Sequence, residues 1–490
     1  MQIKTAGHDE SYSVYTVLKS FFWFETVSEK PACGDPDECV STKRQENGIL
    51  YIDTEISYKG STYRASSERR EDDMPADTLS YKRAFKDLVK KSAYEASKSA
   101  AGADLKWGIL TGIRPAKLAR DLRKSNDYDG ALKTLMDDYY VSREKSELIL
   151  KVSDVQSAII DGVGCKDISL YISIPFCVSR CSYCSFVSHS IEKAGNLVHP
   201  YVSLLIRELL ELSSLISSLS LNLRSIYIGG GTPTSLDENE LLRLLSCVYD
   251  SFDVSKLSEY TLEAGRADTI TKKKLSDAKA LGVTRVSVNP QTTNDEILKK
   301  LGRRHTREDF FGAFYLAREA GFKCINTDVI AGLPGESQES FMRTVDDILT
   351  LEPENVTVHT LSVKRGSNLN YDRVDMTREF ERVNGMLSYA SERLSENGYL
   401  PYYLYRQKST LGNLENTGYS KPGFESLYNV YMMEEVMPVL GAGAGAVSKL
   451  LCGGGRIERV FNYKYPYEYI DDFSKVKRNH EKLEAFLNKK

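Results

Sequence analysis

The chain has 490 residues, with 65 Lys and Arg against 68 Asp and Glu, for a formal charge of −3. At roughly 150 residues per domain this length suggests about three units, with a core that needs no covalent staples. The near-neutral balance argues against a nucleic-acid binder, no apolar run nears the ~20 residues of a membrane span, and Met1–Glu10 is too polar for a leader, so a cytoplasmic protein is expected.

Residues 1–165 read as an N-terminal α+β domain. Leu50–Tyr63 predicts a hairpin, Ser66–Asp77 a polar loop, and Tyr81, Phe85, Leu88 and Val89 recur at helical spacing. Trp107–Pro115 breaks that helix with two glycines and a proline. The basic stretch Arg114, Lys117, Arg120, Arg123 and Lys124 is expected to be a solvated helix face.

Residues 166–380 alternate between two periodicities. Apolar, β-branched runs stand at Ile168–Phe176, Ser225–Ile228, Tyr260–Glu263, Arg285–Asn289, Ile325–Leu333 and Val356–Val363. Amphipathic stretches such as Tyr201–Leu215, Asn239–Val248 and Arg307–Ala320 separate them. Six βα units predict a parallel sheet covered by helices, a partial (β/α)6 TIM-type barrel with its site at the carboxyl ends of the strands. Residues 381–490 read as a mixed α/β extension on the substrate side. It holds the tyrosine-rich Tyr399–Tyr405, a glycine-alternating run Gly441–Ala446 and a basic last helix. Gly441–Gly445 with Gly418–Tyr419 could serve there as a lid.

Of the nine cysteines, an odd number that suits a reducing compartment, three fall within eight residues: Cys177, Cys181 and Cys184, directly after the first barrel strand. Cys33 and Cys39 read as ordinary thiols. Thiolates are soft donors suited to iron–sulfur clusters and zinc. Three on one loop can hold three irons of a cubane and leave the fourth open. Zinc is the rival, since Cys181-x2-Cys184-x4-His189 begins like a knuckle, although the next cysteine, Cys247, lies far outside the usual spacing.

Polar residues interrupt the later strands near their ends: Gly229–Gly230–Gly231–Thr232 after the second, Glu263 at the third, Gln291 and then Arg303 after the fourth, Asn326 and Asp328 in the fifth. Glycines allow backbone N–H groups to approach a ligand, Arg forks onto carboxylates, and Glu and Asp accept from ammonium or hydroxyl groups. A ligand carrying an amino group, a carboxylate and ribose hydroxyls matches that set. His189 and His305 are the nearest histidines.

These residues together resemble the radical S-adenosylmethionine (SAM) superfamily, and within it the oxygen-independent coproporphyrinogen III oxidase/dehydrogenase family. Trp107–Pro115, Glu263–Arg266, Val288–Thr292, Leu301–Thr306 and Gly418–Gly423 are similar to its HemZ branch. The resemblance implies that Cys177, Cys181 and Cys184 hold a 4Fe–4S cluster. It implies SAM contacts from Tyr171, Tyr183, Gly230, Gly231, Thr232, Glu263, Gln291, Arg303 and Asp328. It further implies a porphyrinogen substrate, coproporphyrinogen III, whose propionates become vinyls to give protoporphyrinogen IX, and a low-potential electron donor. Phe186 stands where the decarboxylases carry a fourth cysteine. It matches the CxxCxF form of the haem-chaperone branch, which leaves haem delivery without decarboxylation as the alternative.

Overall fold

The computed structural model describes the chain except residues 23, 24, 26, 29–36, 113, 186, 187, 363–375, 408, 409, 411, 412, 453–455, 489 and 490. Cys33, Phe186, Val363 and Ile113 of the Trp107–Pro115 stretch lie outside the described residues. Two compact units divide the chain. One holds Met1–Ser153 with Asp375–Glu381 and Tyr405–Glu415, and the other holds Asp154–Val374 with Arg382–Leu404 and Asn416–Lys490. The sequence reading set its divisions at 165/166 and 380/381.

In the first unit, strands β1 (Gln2–Ala6), β2 (Glu38–Glu46), β3 (Ile49–Tyr58) and β4 (Ser61–Arg70) form a sheet in that order, parallel at β1–β2 and antiparallel beyond. Helices α1 (Ser11–Phe21) and α2 (Thr78–Ala101) cover one face. Val14, Val17, Leu18, Val89 and Ala93 pack there against Ile52 and Ile56, all buried. Asp77 caps α2 by accepting from the N–H groups of Leu79 and Ser80, and Gly102 ends it in the left-handed region.

The expected loop Ser66–Asp77 is strand as far as Arg70. Its polar side chains alternate on an edge strand, and Ser67 Oγ donates to Leu88 O of α2 at 2.7 Å. Polarity here reflects an exposed edge rather than irregular backbone. Two buried charges close the unit: Lys145 Nζ lies 2.7 Å from Glu415 Oε1, and Trp107 Nε1 donates to Glu415 Oε2 at 2.7 Å.

In the second unit six parallel strands, β5 (Asp167–Ile174), β6 (Asn222–Gly230), β7 (Glu259–Glu263), β8 (Arg285–Ser287), β9 (Cys324–Ala331) and β10 (Asn355–Thr360), lie side by side in chain order. Helices such as Val198–Ser218, Glu238–Ser251, Arg307–Glu319 and Gln338–Thr350 fill the connections, as the alternation of periodicities predicted. This is the partial (β/α)6 barrel. Among the described residues no helix is long and apolar enough to cross a membrane.

The sheet does not stop at six. β11 (Leu400–Arg406) and β12 (Glu415–Ser420) extend it beyond β10, while β13 (Val439–Ala442) pairs parallel with β5 and carries β14 (Val447–Cys452) and β15 (Arg456–Phe461). Gly418–Tyr419 and Gly441 are therefore strand residues on either side of the barrel sheet and do not form the expected lid. The glycines are there for close packing: a Cβ on Gly443 would sit 2.5 Å from Tyr201 Oη and 2.7 Å from Ser173 O. Buried Glu208 holds this return in place, accepting from Gly443 N at 2.7 Å, Asn462 Nδ2 at 2.9 Å and Tyr469 Oη at 2.6 Å.

Candidate functional site

Parallel register sorts the polar residues before any contact is considered. Tyr171 pairs with Tyr227, Tyr227 with Thr261, Glu263 with Ser287, Ser287 with Asn326, and Asp328 with Thr357. Partners in register point the same way, and so do residues two apart on one strand. Tyr171, Tyr227, Glu263, Asn326, Asp328 and His359 thus share one face of the sheet.

Their contacts join them. Tyr227 Oη donates to Glu263 Oε1 at 2.5 Å. The Tyr227 ring stacks on Tyr428 at 4.5 Å between centroids and on Tyr171 at 6.2 Å. Burial pushes the Glu263 carboxyl up to about 7 against the pull of Tyr227 and the Gly230 N–H, with the nearby charge of Asp328 adding to the rise. Burial acts on Asp328 as well, but His359, Asn326 and Thr357 outweigh it and hold this carboxyl below its usual value. Asn289 Nδ2 donates to Asp328 Oδ2 at 2.7 Å, and Asn326 Nδ2 to Oδ1 at 2.8 Å. Two neighbouring carboxyls with protonation pushed in opposite directions are the pattern found where carboxyls take different roles at a binding or catalytic site.

The same network continues to the cysteines. Arg303 donates from Nη1 to Asn289 O at 2.8 Å and from Nη2 to Tyr183 Oη at 3.1 Å. Tyr183 lies between the second and third cysteines and packs on Ile297, Leu301, Ile330, Leu333 and Leu361. Cys177 and Cys181 are buried, Cys184 partly so. Ser182 N donates to Leu301 O at 3.1 Å and Ser179 Oγ to Gly302 O at 3.0 Å, so the loop is pinned to the Leu301–Gly302 turn. Burial raises the Cys177 thiol, and Thr232 Oγ1 stands 3.4 Å from its sulfur.

The glycine turn plays a different part from the one expected. The N–H groups of Gly231 and Thr232 donate to Ile174 O and Phe176 O, both at 2.7 Å, so neither is left over for a ligand. A Cβ on Gly231 would lie 2.3 Å from Phe176 O, and Gly230 takes φ +114°. The glycines let this turn lie flat against the start of the cysteine loop, while Gly230 N–H faces Glu263.

Several polar atoms here are buried and have no hydrogen-bond partner: Gln291 Oε1, Arg303 Nε and both ring nitrogens of His305. Gln291 sits at φ +68°, held by its N–H to Asp328 O and by Ile330 N to its own O, each 3.0 Å. Strain combined with an unmet acceptor is what a ligand site contains before its ligand is counted. Burial lowers His305 to about 4, leaving a neutral ring. Among the described residues no three His, Cys, Asp or Glu side chains converge tightly enough for a single metal ion. Thiolates are the donors that iron–sulfur clusters take, and Cys177, Cys181 and Cys184 stand as thiols on one loop.

Residues 171–348 match the model of the radical SAM superfamily. The chain is 39% identical over 404 residues, 81% of each chain, to the oxygen-independent coproporphyrinogen-III oxidase-like protein HemZ of Bacillus subtilis (strain 168). The chain belongs to this family of radical SAM proteins. A second relative of the family, the heme chaperone HemW of Bacillus subtilis (strain 168), is 32% identical over 309 residues, 62% of this chain and 75% of the relative. Coproporphyrinogen III oxidase (HemN) from Escherichia coli, a solved structure, aligns at 21% identity and a TM-score of 0.49, covering 66% of this chain and 72% of that one.

For this radical SAM chain the structure draws Tyr171, Glu263, Asp328, Arg303, Tyr183 and the cysteine loop into one network and puts Gly230, Gly231 and Thr232 along its edge. Tyr227, Asn289, His359 and Tyr428 were missed. Strand parity offered a signal for Tyr227, two residues before Gly229 and two positions from the Glu263 register. Tyr428 had no such signal, since it comes from a helix far along the chain.

Proposed function

We propose that this protein is a SAM-dependent radical oxidoreductase of porphyrin biosynthesis. Its substrate is coproporphyrinogen III, whose propionates undergo oxidative decarboxylation to the vinyls of protoporphyrinogen IX. The observation that carries the reading is the pair of buried, unpartnered polar atoms Gln291 Oε1 and Arg303 Nε on the network of Glu263 and Asp328, with Arg303 hydrogen-bonded to Tyr183 on the loop that carries the three thiols.

Cys177, Cys181 and Cys184 would hold a 4Fe–4S cluster, and Tyr171, Tyr183, Gly230, Gly231, Thr232, Glu263, Gln291, Arg303 and Asp328 would cradle SAM. When bound, the reduced cluster and SAM supply a 5′-deoxyadenosyl radical able to remove a hydrogen atom from substrate. The protein's part is orientation and exclusion of water. Ionised Asp328 accepts from hydroxyl or ammonium groups, Arg303 keeps Nε for an acceptor, and Gln291 Oε1 receives a donor. Glu263 gains or loses its proton near neutrality, so it can accept from a cationic ligand without holding a permanent buried charge. A low-potential electron donor in the cytoplasm completes the proposal.

The similarity to a heme chaperone, together with Phe186 in place of a fourth cysteine, favours a second reading in which haem is bound and delivered. One experiment separates the two. Anaerobic incubation with SAM, dithionite and coproporphyrinogen III should yield protoporphyrinogen and 5′-deoxyadenosine. Saturable haem binding with no product would replace the first reading by the second.

A further inference from the structure

Arg266 follows β7 in the turn Glu263–Ala–Gly–Arg266, and its side chain is only 3% exposed. Asp268 takes one edge of the guanidinium: Nε donates to Oδ1 at 2.9 Å and Nη2 to Oδ2 at 2.7 Å. That fork leaves Nη1 free to face the cysteine loop. It lies 2.9 Å from Ser179 Oγ, 3.1 Å from Ser179 O and 3.9 Å from Cys181 Sγ. The guanidinium is fixed on both edges and cannot rotate away, so a buried positive charge and an N–H donor stay beside one thiol.

We propose that Arg266, fixed by Asp268, is a positioning residue that sets the reduction potential of the cluster held by Cys177, Cys181 and Cys184. The inference rests on the cluster reading above. Charge near a cluster and hydrogen bonds to its sulfurs are the protein's chief means of tuning it. A cation donating to a ligand sulfur favours the reduced, more negative state and raises the potential. Asp268 opposes that pull through its own charge while holding the guanidinium in place. The two substitutions therefore move the potential in opposite directions, which a purely structural role in the loop does not do.

The test uses the full chain, anaerobically reconstituted. Iron and sulfide per chain are measured first: a wild-type protein without a cluster overturns the functional reading and this inference with it. EPR-monitored redox titration then compares wild type with Arg266→Gln, Arg266→Lys and Asp268→Asn. Arg266→Gln should lower the ratio of reduced to oxidised cluster at the wild-type midpoint about tenfold, a fall of about 59 mV for one electron. Arg266→Lys, which keeps the charge but loses the fork, should fall less. Asp268→Asn should rise. Coincident potentials at full cluster content overturn the inference and leave the cluster reading standing. So does Asp268→Asn moving the same way as Arg266→Gln. If Arg266→Gln loses its cluster, Arg266→Lys and Asp268→Asn decide by the same criteria, and loss of the cluster in all three assigns Arg266 a structural role instead.

Discussion

Replacing Glu263 by Gln should make the metal-free protein more stable at alkaline pH, although the residue is central to the site. The folded carboxyl titrates at about 7 against an ordinary value near 4.5, because burial opposes its charge. Between those pH values the folded protein keeps a proton that the unfolded chain has released. Stability therefore falls as pH rises through that window and levels off above it. At ~1.4 kcal/mol per unit the full shift corresponds to about 3 kcal/mol. Partial exposure of the side chain reduces the expected effect to about 2 kcal/mol. The hydrogen bonds from Tyr227 and Gly230 already favour the ionised form, so the shift is net of them. Gln keeps the shape, can accept from Tyr227, and cannot ionise. Urea unfolding of metal-free wild type and Glu263→Gln at pH 5.0 and 8.5 is the assay, with midpoints that nearly coincide at the lower pH and a variant midpoint clearly higher at the upper. A gap independent of pH, or a wild type more stable at pH 8.5, would refute the reasoning. In reconstituted protein the same variant should bind SAM more weakly, a trade of stability for function.

Tyr227→Phe removes a hydrogen bond to a charged group worth roughly 1.5–3 kcal/mol, so the Glu263 midpoint should rise by about one to two units; the pH dependence of SAM binding by calorimetry reads this directly. Gly231→Ala drives a methyl into Phe176 O, backbone that cannot yield, and should cost at least about 2 kcal/mol and reduce iron bound per chain, measured by thermal unfolding and iron assay. Glu415→Gln leaves buried Lys145 with only the half-exposed Glu144 as countercharge and should destabilise the first unit by up to about 3 kcal/mol, seen as a lower thermal midpoint.

Much of the barrel could be read from the chain because its rule is local. β-branched runs such as Ile168–Ile174 and Cys324–Ala331 alternate with helices of 3.6-residue period, and that alternation by itself implies parallel strands joined by helices. The cysteine loop was equally plain, since the spacing of Cys177, Cys181 and Cys184 lies within a single turn of chain. The polar Ser66–Arg70 was misread because an edge strand, exposed on one side, carries the same composition as a loop.

What the sequence determined alone was the alternation of parallel strands and helices, the three-cysteine motif and the candidate polar residues along the strands, because motif spacing and strand parity are properties of a few consecutive residues. Tertiary structure decided the rest. It spent the glycine N–H groups on Ile174 and Phe176, turned the glycine run near 441 into a seventh parallel strand, stacked Tyr428 on Tyr227, and set Glu263 and Asp328 to opposite protonation tendencies. Each of these depends on burial or on partners tens to hundreds of residues away, and the free energy of a buried charge or donor is fixed by what surrounds it in space, not by its neighbours along the chain.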